Sequence, residues 1–150
     1  SLGLETTPFQ ASELRNGAVL DMLCSSQVDW VILAGFLLRI PEAMVGHFKG
    51  RMVNIHPALL PDFGGKGMYG MHVHQAVKAA GCVESGMTVH WVTSAYDEGD
   101  VIFQASCALE PEDEPEQIAQ KVAQLEHRYY ARAIDALIQD AVAQTSLQHG

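Results

Sequence analysis

Asn54 and His56 stand two residues apart at the end of a hydrophobic run, Met52 to Ile55, that meets Pro57. In a β-strand, side chains two apart leave the same face. Pro57 cannot donate to a ladder and biases His56 toward an extended backbone, so the strand is expected to stop there. This puts an amide beside an imidazole at the C-terminal end of a strand, where open α/β sheets hold their ligands. An amide can hydrogen-bond a developing oxyanion, and an imidazole can move a proton near neutral pH. The pair suits acyl transfer, although a capped strand end with satisfied polar side chains has the same pattern. A carboxylate folded back against His56 would stabilise its imidazolium. Asp97 and Asp100, in Tyr96-Asp97-Glu98-Gly99-Asp100, are both candidates, and a plain turn favours the same residue types.

Other polar groupings carry less. His72 and His74, with His90, raise a metal site, but a helix would send the first two apart. No Glu or Cys stands at a ligand spacing, so no metal is expected. Gly64-Gly65-Lys66-Gly67 lacks the Walker spacing and its following Ser/Thr. Glu126-His127 falls within a helical stretch and also fits a solvated face or the edge of a core.

The elements that must hold these groups follow from periodicity. Ser12 is expected to cap a helix from about Glu13 to Ser25, with Leu14, Val19, Leu20, Leu23 and Cys24 facing inward. Gly17 weakens that helix. Val28 to Leu33 is expected as a buried parallel strand. A short helix from Pro41 to about His47 comes next. The strand Arg51 to His56 follows, then a glycine-rich loop from Pro61 to Gly70. A helix over Met71 to Ala80 leads to strands Gly86 to Val92 and Val101 to Leu109, the last pair suited to a hairpin. From about Pro115 to Ala143 the positions Ile118, Val122, Leu125, Tyr129, Ala133 and Leu137 recur at helical spacing. Residues 144–150 are expected to fray.

Composition sets the class. The chain has 150 residues, 48% hydrophobic and 18% charged, the mark of one globular domain. A formal net charge of −9 argues against non-specific binding of nucleic acid or an anionic membrane. The cysteines Cys24, Cys82 and Cys107 are odd in number and form no CxxC, which suggests reduced thiols and a cytoplasmic location. No apolar run reaches transmembrane length.

Four segments then carry a resemblance: VILAGFLLRI (31–40), NIHPALLP (54–61), GMTVHWVTSAYDEGDVIFQ (86–104) and LEHRYYARAI (125–134). In this order and spacing the chain resembles the folate-dependent formyltransferases, most of all the branch that formylates 5′-phosphoribosylglycinamide in purine biosynthesis. Asn-x-His followed by Leu-Leu-Pro, with a later Asp-x-Gly before an apolar strand, is specific to that family. The likeness covers nearly all of the chain after about Asp29.

The resemblance implies a three-layer α/β fold. Its sheet is Rossmann-like and largely parallel, with helices on both faces and a last strand pair that can be antiparallel. It implies 10-formyltetrahydrofolate as formyl donor and the amine of 5′-phosphoribosylglycinamide as acceptor. Asn54 would bind the formyl oxygen and His56 would be the general acid/base. Asp97, which opens the Asp-x-Gly, is matched in preference to Asp100. Leu37, Leu38, Arg39 and Ile40 match the pterin-lining segment. Thr93, Ser94, Ala95, Tyr96 and Asp97 match the loop over that ring. Asn54, Ala123 and Glu126 match substrate-binding positions, and Thr88 would support the site from the neighbouring strand. A small-molecule substrate is the expected partner, and a homodimer the one assembly kept in view.

The chain also departs from the family. The strand, glycine-rich turn and helix that open the family's domain and hold the substrate phosphate have no counterpart here. Residues 1–150 are therefore expected to be the C-terminal part of a longer single domain, lacking a βαβ-sized stretch of roughly 30 residues or more. The parent protein is expected to be the enzyme, and this chain alone is expected to be inactive. The loop from Gly64 to Gly70 is longer and richer in glycine than in many relatives. Three rivals stand beside the transferase. Formyltetrahydrofolate deformylase shares the Asn, His and Asp but uses water as acceptor. Methionyl-tRNA formyltransferase would need a basic extension that this acidic chain lacks. A non-catalytic folate-binding fragment would keep the pterin pocket without turnover.

Overall fold

A computed structural model describes residues 3–148. Its elements are α1 (Ala11–Arg15), α2 (Ala18–Ser25), β1 (Val31–Leu33), α3 (Glu42–His47) and β2 (Met52–His56). They continue with α4 (Met71–Ala79), β3 (Glu84–Trp91), β4 (Val101–Ala108) and α5 (Pro115–Gln148). The strands form one sheet in the order β1-β2-β3-β4.

Strand β2 shows why the layers form. Its side chains alternate between two buried faces. Val53 and Ile55 join Val77, Met87, Val89, Ile118 and Val122 in a core under α4 and α5. Met52 joins Leu14, Val19, Ile40, Met44 and Phe48 in a second core against α1, α2 and α3. Each fully buried side chain of this size contributes about 1.5–3 kcal/mol. Helices therefore cover both faces, as expected for a three-layer α/β fold. The apolar stripe of α5 also lies as expected. Ile118 and Val122 are buried, and Leu125, Tyr129, Ala133 and Leu137 pack against the first core.

The sheet is mixed rather than largely parallel. β1 pairs with β2 in parallel, but β2–β3 and β3–β4 are both antiparallel. The chain leaves β2, turns through residues 57–70 and returns along the short helix α4. It enters β3 beside the end of β2 instead of crossing to its start. His56 consequently pairs with Thr88 and Asn54 with His90.

Several local expectations are corrected. The first helix begins at Ala11, and Ser12 lies inside it rather than capping it. The carboxylate of Glu13 instead accepts the Gln10 N–H at 2.6 Å. That helix is broken at Asn16-Gly17, where Gly17 takes φ +92° and only glycine adopts such a backbone without strain. Cys24 does not face inward; it is exposed, with Sγ 3.5 Å from His47 Nε2. β1 starts at Val31 because the Val28 N–H is spent on the Leu23 carbonyl in closing α2. Helix α5 runs on to Gln148, with no glycine or proline in residues 116–148 to stop it. Among the described residues no helix is long and apolar enough to cross a membrane.

Candidate active site

The C-terminal end of β2 delivers Asn54 and His56 to one face, as their spacing requires. His56 is buried, with 3% exposure. The antiparallel register sets His90 beside Asn54 and Thr88 beside His56. Asn54 Nδ2 lies 3.1 Å from His90 Nε2. His90 Nδ1 lies 2.9 Å from the Trp91 carbonyl. A carbonyl only accepts, so Nδ1 carries the proton and Nε2 accepts from the Asn54 amide. The second N–H of that amide is thereby left free.

Asp97 reaches this pair from the loop between β3 and β4. One carboxylate oxygen is 3.5 Å from His56 Nδ1 and the other 3.5 Å from His90 Nε2. Asp97 holds φ +55°, in the left-handed region that Asp tolerates better than most residues. Its neighbour Gly99 lies against the Trp91 carbonyl, where an added Cβ would fall 1.6 Å from that oxygen. Only glycine allows so tight a return of the loop. Asp100, the other sequence candidate, is exposed, and the contacts with His56 and His90 belong to Asp97.

The glycine-rich loop closes the arrangement from the far side. His56 Nε2 donates to the Phe63 carbonyl at 2.7 Å, and the Gly65 N–H donates to Asp97 at 3.0 Å. Thr88, fully buried, accepts from the Leu60 N–H at 3.0 Å and donates to the Ala58 carbonyl at 2.7 Å. Gln104 adds donors to the Leu60 carbonyl and to Thr88 Oγ1, each at 2.9 Å. Thr88 thus supports the segment after His56, as the resemblance implied.

Titration follows from these contacts. Burial pushes the His56 imidazole below its ordinary 6.5, against the opposing pull of Asp97 and the Phe63 carbonyl. Burial would raise the Asp97 carboxyl, but a hydrogen bond from His90 and the charge of His56, each in the protonated form, together with the Gly65 N–H hold it below 3.8. The resting pair is therefore a neutral imidazole beside a carboxylate, ready to stabilise an imidazolium once a proton arrives. Burial raises the Glu126 carboxyl, with His127 opposing.

These groups open onto a cavity of about 810 Å³, within the range of small-molecule sites, about 300–1,000 Å³. Every site position suggested by the sequence lines it: residues 37–40, 93–97, Asn54, His56, Ala123 and Glu126. Two of them do more than line it. Ile40 is also buried in the second core. Arg39 directs its Nε to the Ser94 carbonyl at 2.9 Å, tying two walls together.

Sequence reasoning gave His90 no role beside Asn54, weighing it only with the HVH pair. The available signal was the β2–β3 register, and that requires the antiparallel topology. The HVH pair itself diverges on α4. His72 stacks on Tyr69 at 5.1 Å, whereas His74 is buried in the cavity wall with Nδ1 unpartnered among the described residues. Burial, with His56 nearby, lowers the His74 imidazole. Among the described residues no group of three or more His, Cys, Asp or Glu is placed to hold a metal.

Comparisons with known proteins identify the family. The pattern of the formyl transferase family matches residues 2–134. The chloroplastic phosphoribosylglycinamide formyltransferase of Arabidopsis thaliana is 42% identical over 124 residues, covering 83% of this chain and 42% of that protein. The phosphoribosylglycinamide formyltransferase of Bacillus subtilis is 30% identical over 138 residues, covering 92% of this chain and 68% of that protein. The crystal structure of phosphoribosylglycinamide formyltransferase from Anaplasma phagocytophilum aligns with a TM-score of 0.82 at 31% identity. That alignment covers 92% of this chain and 65% of the other. The chain thus spans less than half the length of the plant relative. The family's pattern runs through the strand end, both cavity walls and most of the helix behind them, and this chain belongs to the formyl transferase family.

Proposed function

We propose that these residues carry formyl transfer from 10-formyltetrahydrofolate to the amine of 5′-phosphoribosylglycinamide. The observation that supports this most is the convergence of Asn54, His56, His90 and Asp97 on one cavity that Glu126 also lines. Residues 37–40 and 93–97 form walls for the pterin. Glu126, a half-buried carboxylate, faces the same space from α5 and suits the amine or hydroxyls of the acceptor.

In this reading the acceptor amine attacks the formyl carbon, and the carbonyl electrons move to oxygen. The free N–H of Asn54 meets that oxyanion. His56 takes the proton from the attacking nitrogen, with Asp97 stabilising the imidazolium, and passes it to the departing folate nitrogen. The carbon–nitrogen bond to the folate breaks, leaving a formylated amine and tetrahydrofolate. His56 must first exchange one of its two neighbours for substrate. The Phe63 carbonyl is the one to leave, because a neutral acceptor binds more weakly than a carboxylate, and the imidazole proton then sits on Nδ1 beside Asp97, leaving Nε2 as the free base. Holding donor and acceptor in one cavity removes much of the cost of a bimolecular encounter.

The test is an assay of the full-length protein with 10-formyltetrahydrofolate and 5′-phosphoribosylglycinamide, products read by mass spectrometry. Formylated acceptor and tetrahydrofolate in equal amounts are expected. Formate release without acceptor would point to the hydrolase, and folate binding with no turnover to a non-catalytic binding protein. Either result overturns the transferase reading.

A further inference from the structure

The cavity wall formed by residues 34–40 is anchored in the second core by Phe36 and Ile40, but its middle is loosely packed. Leu37 and Leu38 are 56% and 40% exposed, and Gly35 turns at φ +61° where the wall leaves β1. Two side-chain hydrogen bonds to other parts of the fold grip its ends. At the far end is the Arg39–Ser94 tie already described. At the near end, the hydroxyl of Tyr130 donates to the carbonyl of Leu33. Leu33 is the last residue of β1 and the register partner of Asn54. Tyr130 sits about one helical turn beyond Glu126 on α5, and both line the same cavity. Burial, assisted by Glu126, raises the Tyr130 hydroxyl well above the ordinary tyrosine value, so it remains a donor throughout the neutral range.

We propose that Tyr130 is a positioning residue for the formyl donor. By tying the end of β1 to α5, it fixes how far the 34–40 wall stands from the helix that carries Glu126. The width of the donor slot depends on that spacing. Tyr130 touches no reacting atom in this scheme; it acts through the main chain of Leu33. The proposal rests on the donor-pocket reading given above.

Tyr130→Phe in the full-length protein keeps the ring and removes only the donor. Amide exchange across residues 34–40, followed by mass spectrometry without ligand, is expected to quicken roughly five- to tenfold, the scale of one lost hydrogen bond. The KM for 10-formyltetrahydrofolate should rise by a similar factor, while kcat changes little. Tyr129→Phe is the control, since the Tyr129 ring packs on Phe103 at a centroid distance of 5.6 Å. It should change neither readout. Unchanged exchange in Tyr130→Phe overturns the tie. Faster exchange with an unchanged donor KM, or a loss confined to kcat, overturns the positioning role. If the wild-type protein binds no reduced folate, the functional reading falls instead, and the exchange comparison still decides the tie.

Discussion

The strand-borne cluster and the loop-borne walls of the same cavity are built in opposite ways. His56, Thr88 and His90 are each at most 3% exposed. They are held by a web of hydrogen bonds to β2, β3, β4 and the segment after His56. The walls at residues 34–40 and 93–97 expose Leu37, Leu38 and Tyr96 at 40% or more, and they are joined by single side-chain ties. Groups that must meet a transition state gain from rigidity, because misplacement by an ångström is costly. Under the proposed function the walls must yield to admit the donor, and their exposed apolar side chains supply its contacts. Asp97 belongs to both regions. It is carried by a loop yet anchored by His56, His90 and Gly65.

This contrast can be broken first at Asp97. Asp97→Asn is expected to lower kcat by roughly 10²-fold or more, the scale of a general acid–base contribution. Asp97 raises the His56 imidazole in the wild type, so its loss should move His56 further below 6.5. An NMR titration that leaves His56 unmoved would rule out the coupling. The linkage sign is also defined. A carboxyl held below 3.8 when folded contributes stability that is present above 3.8 and lost as pH falls through its folded value. Acid unfolding of Asp97→Asn should lack that component.

The next effect in size concerns stability. Thr88→Val leaves the Leu60 N–H and Ala58 carbonyl without their partner, at a cost of about 1–3 kcal/mol. Denaturant melts read it directly, and a loss under about 0.5 kcal/mol, the range of ordinary surface changes, would mean the cluster is less tightly built than its contacts imply. The smallest change is expected in the walls. Leu37→Ala should alter stability by no more than about 0.5 kcal/mol while raising the KM for the donor. A large loss of stability there would erase the distinction between the two regions.

Part of the site was legible in short-range periodicity, and Asp97, the two walls, Ala123 and Glu126 only through the family resemblance. Asn54 and His56 share a face because strand side chains repeat every two residues, and no other chain segment is needed to deduce it. The buried stripe of α5 was visible for the same reason, from Ile118 to Leu137. His90 was not, because its place beside Asn54 depends on which way β3 runs. Cys24 has the spacing of an inner-face residue on one continuous helix. The break at Gly17 turned its helix independently of the first, and Cys24 came out exposed beside His47.

By itself, then, the sequence determined the residue types available for chemistry, the faces they occupy on their own elements, and the family to which the chain belongs. Tertiary structure alone decided that β2 and β3 run antiparallel and that His90 orients Asn54. It also decided that Phe63 caps the imidazole and that Tyr130 grips the end of β1. The division has a physical cause. Side-chain direction within a strand or helix is set by backbone geometry over a few residues. A contact between residues 97 apart, such as Tyr130 and Leu33, exists only once the packing of whole layers has fixed their separation.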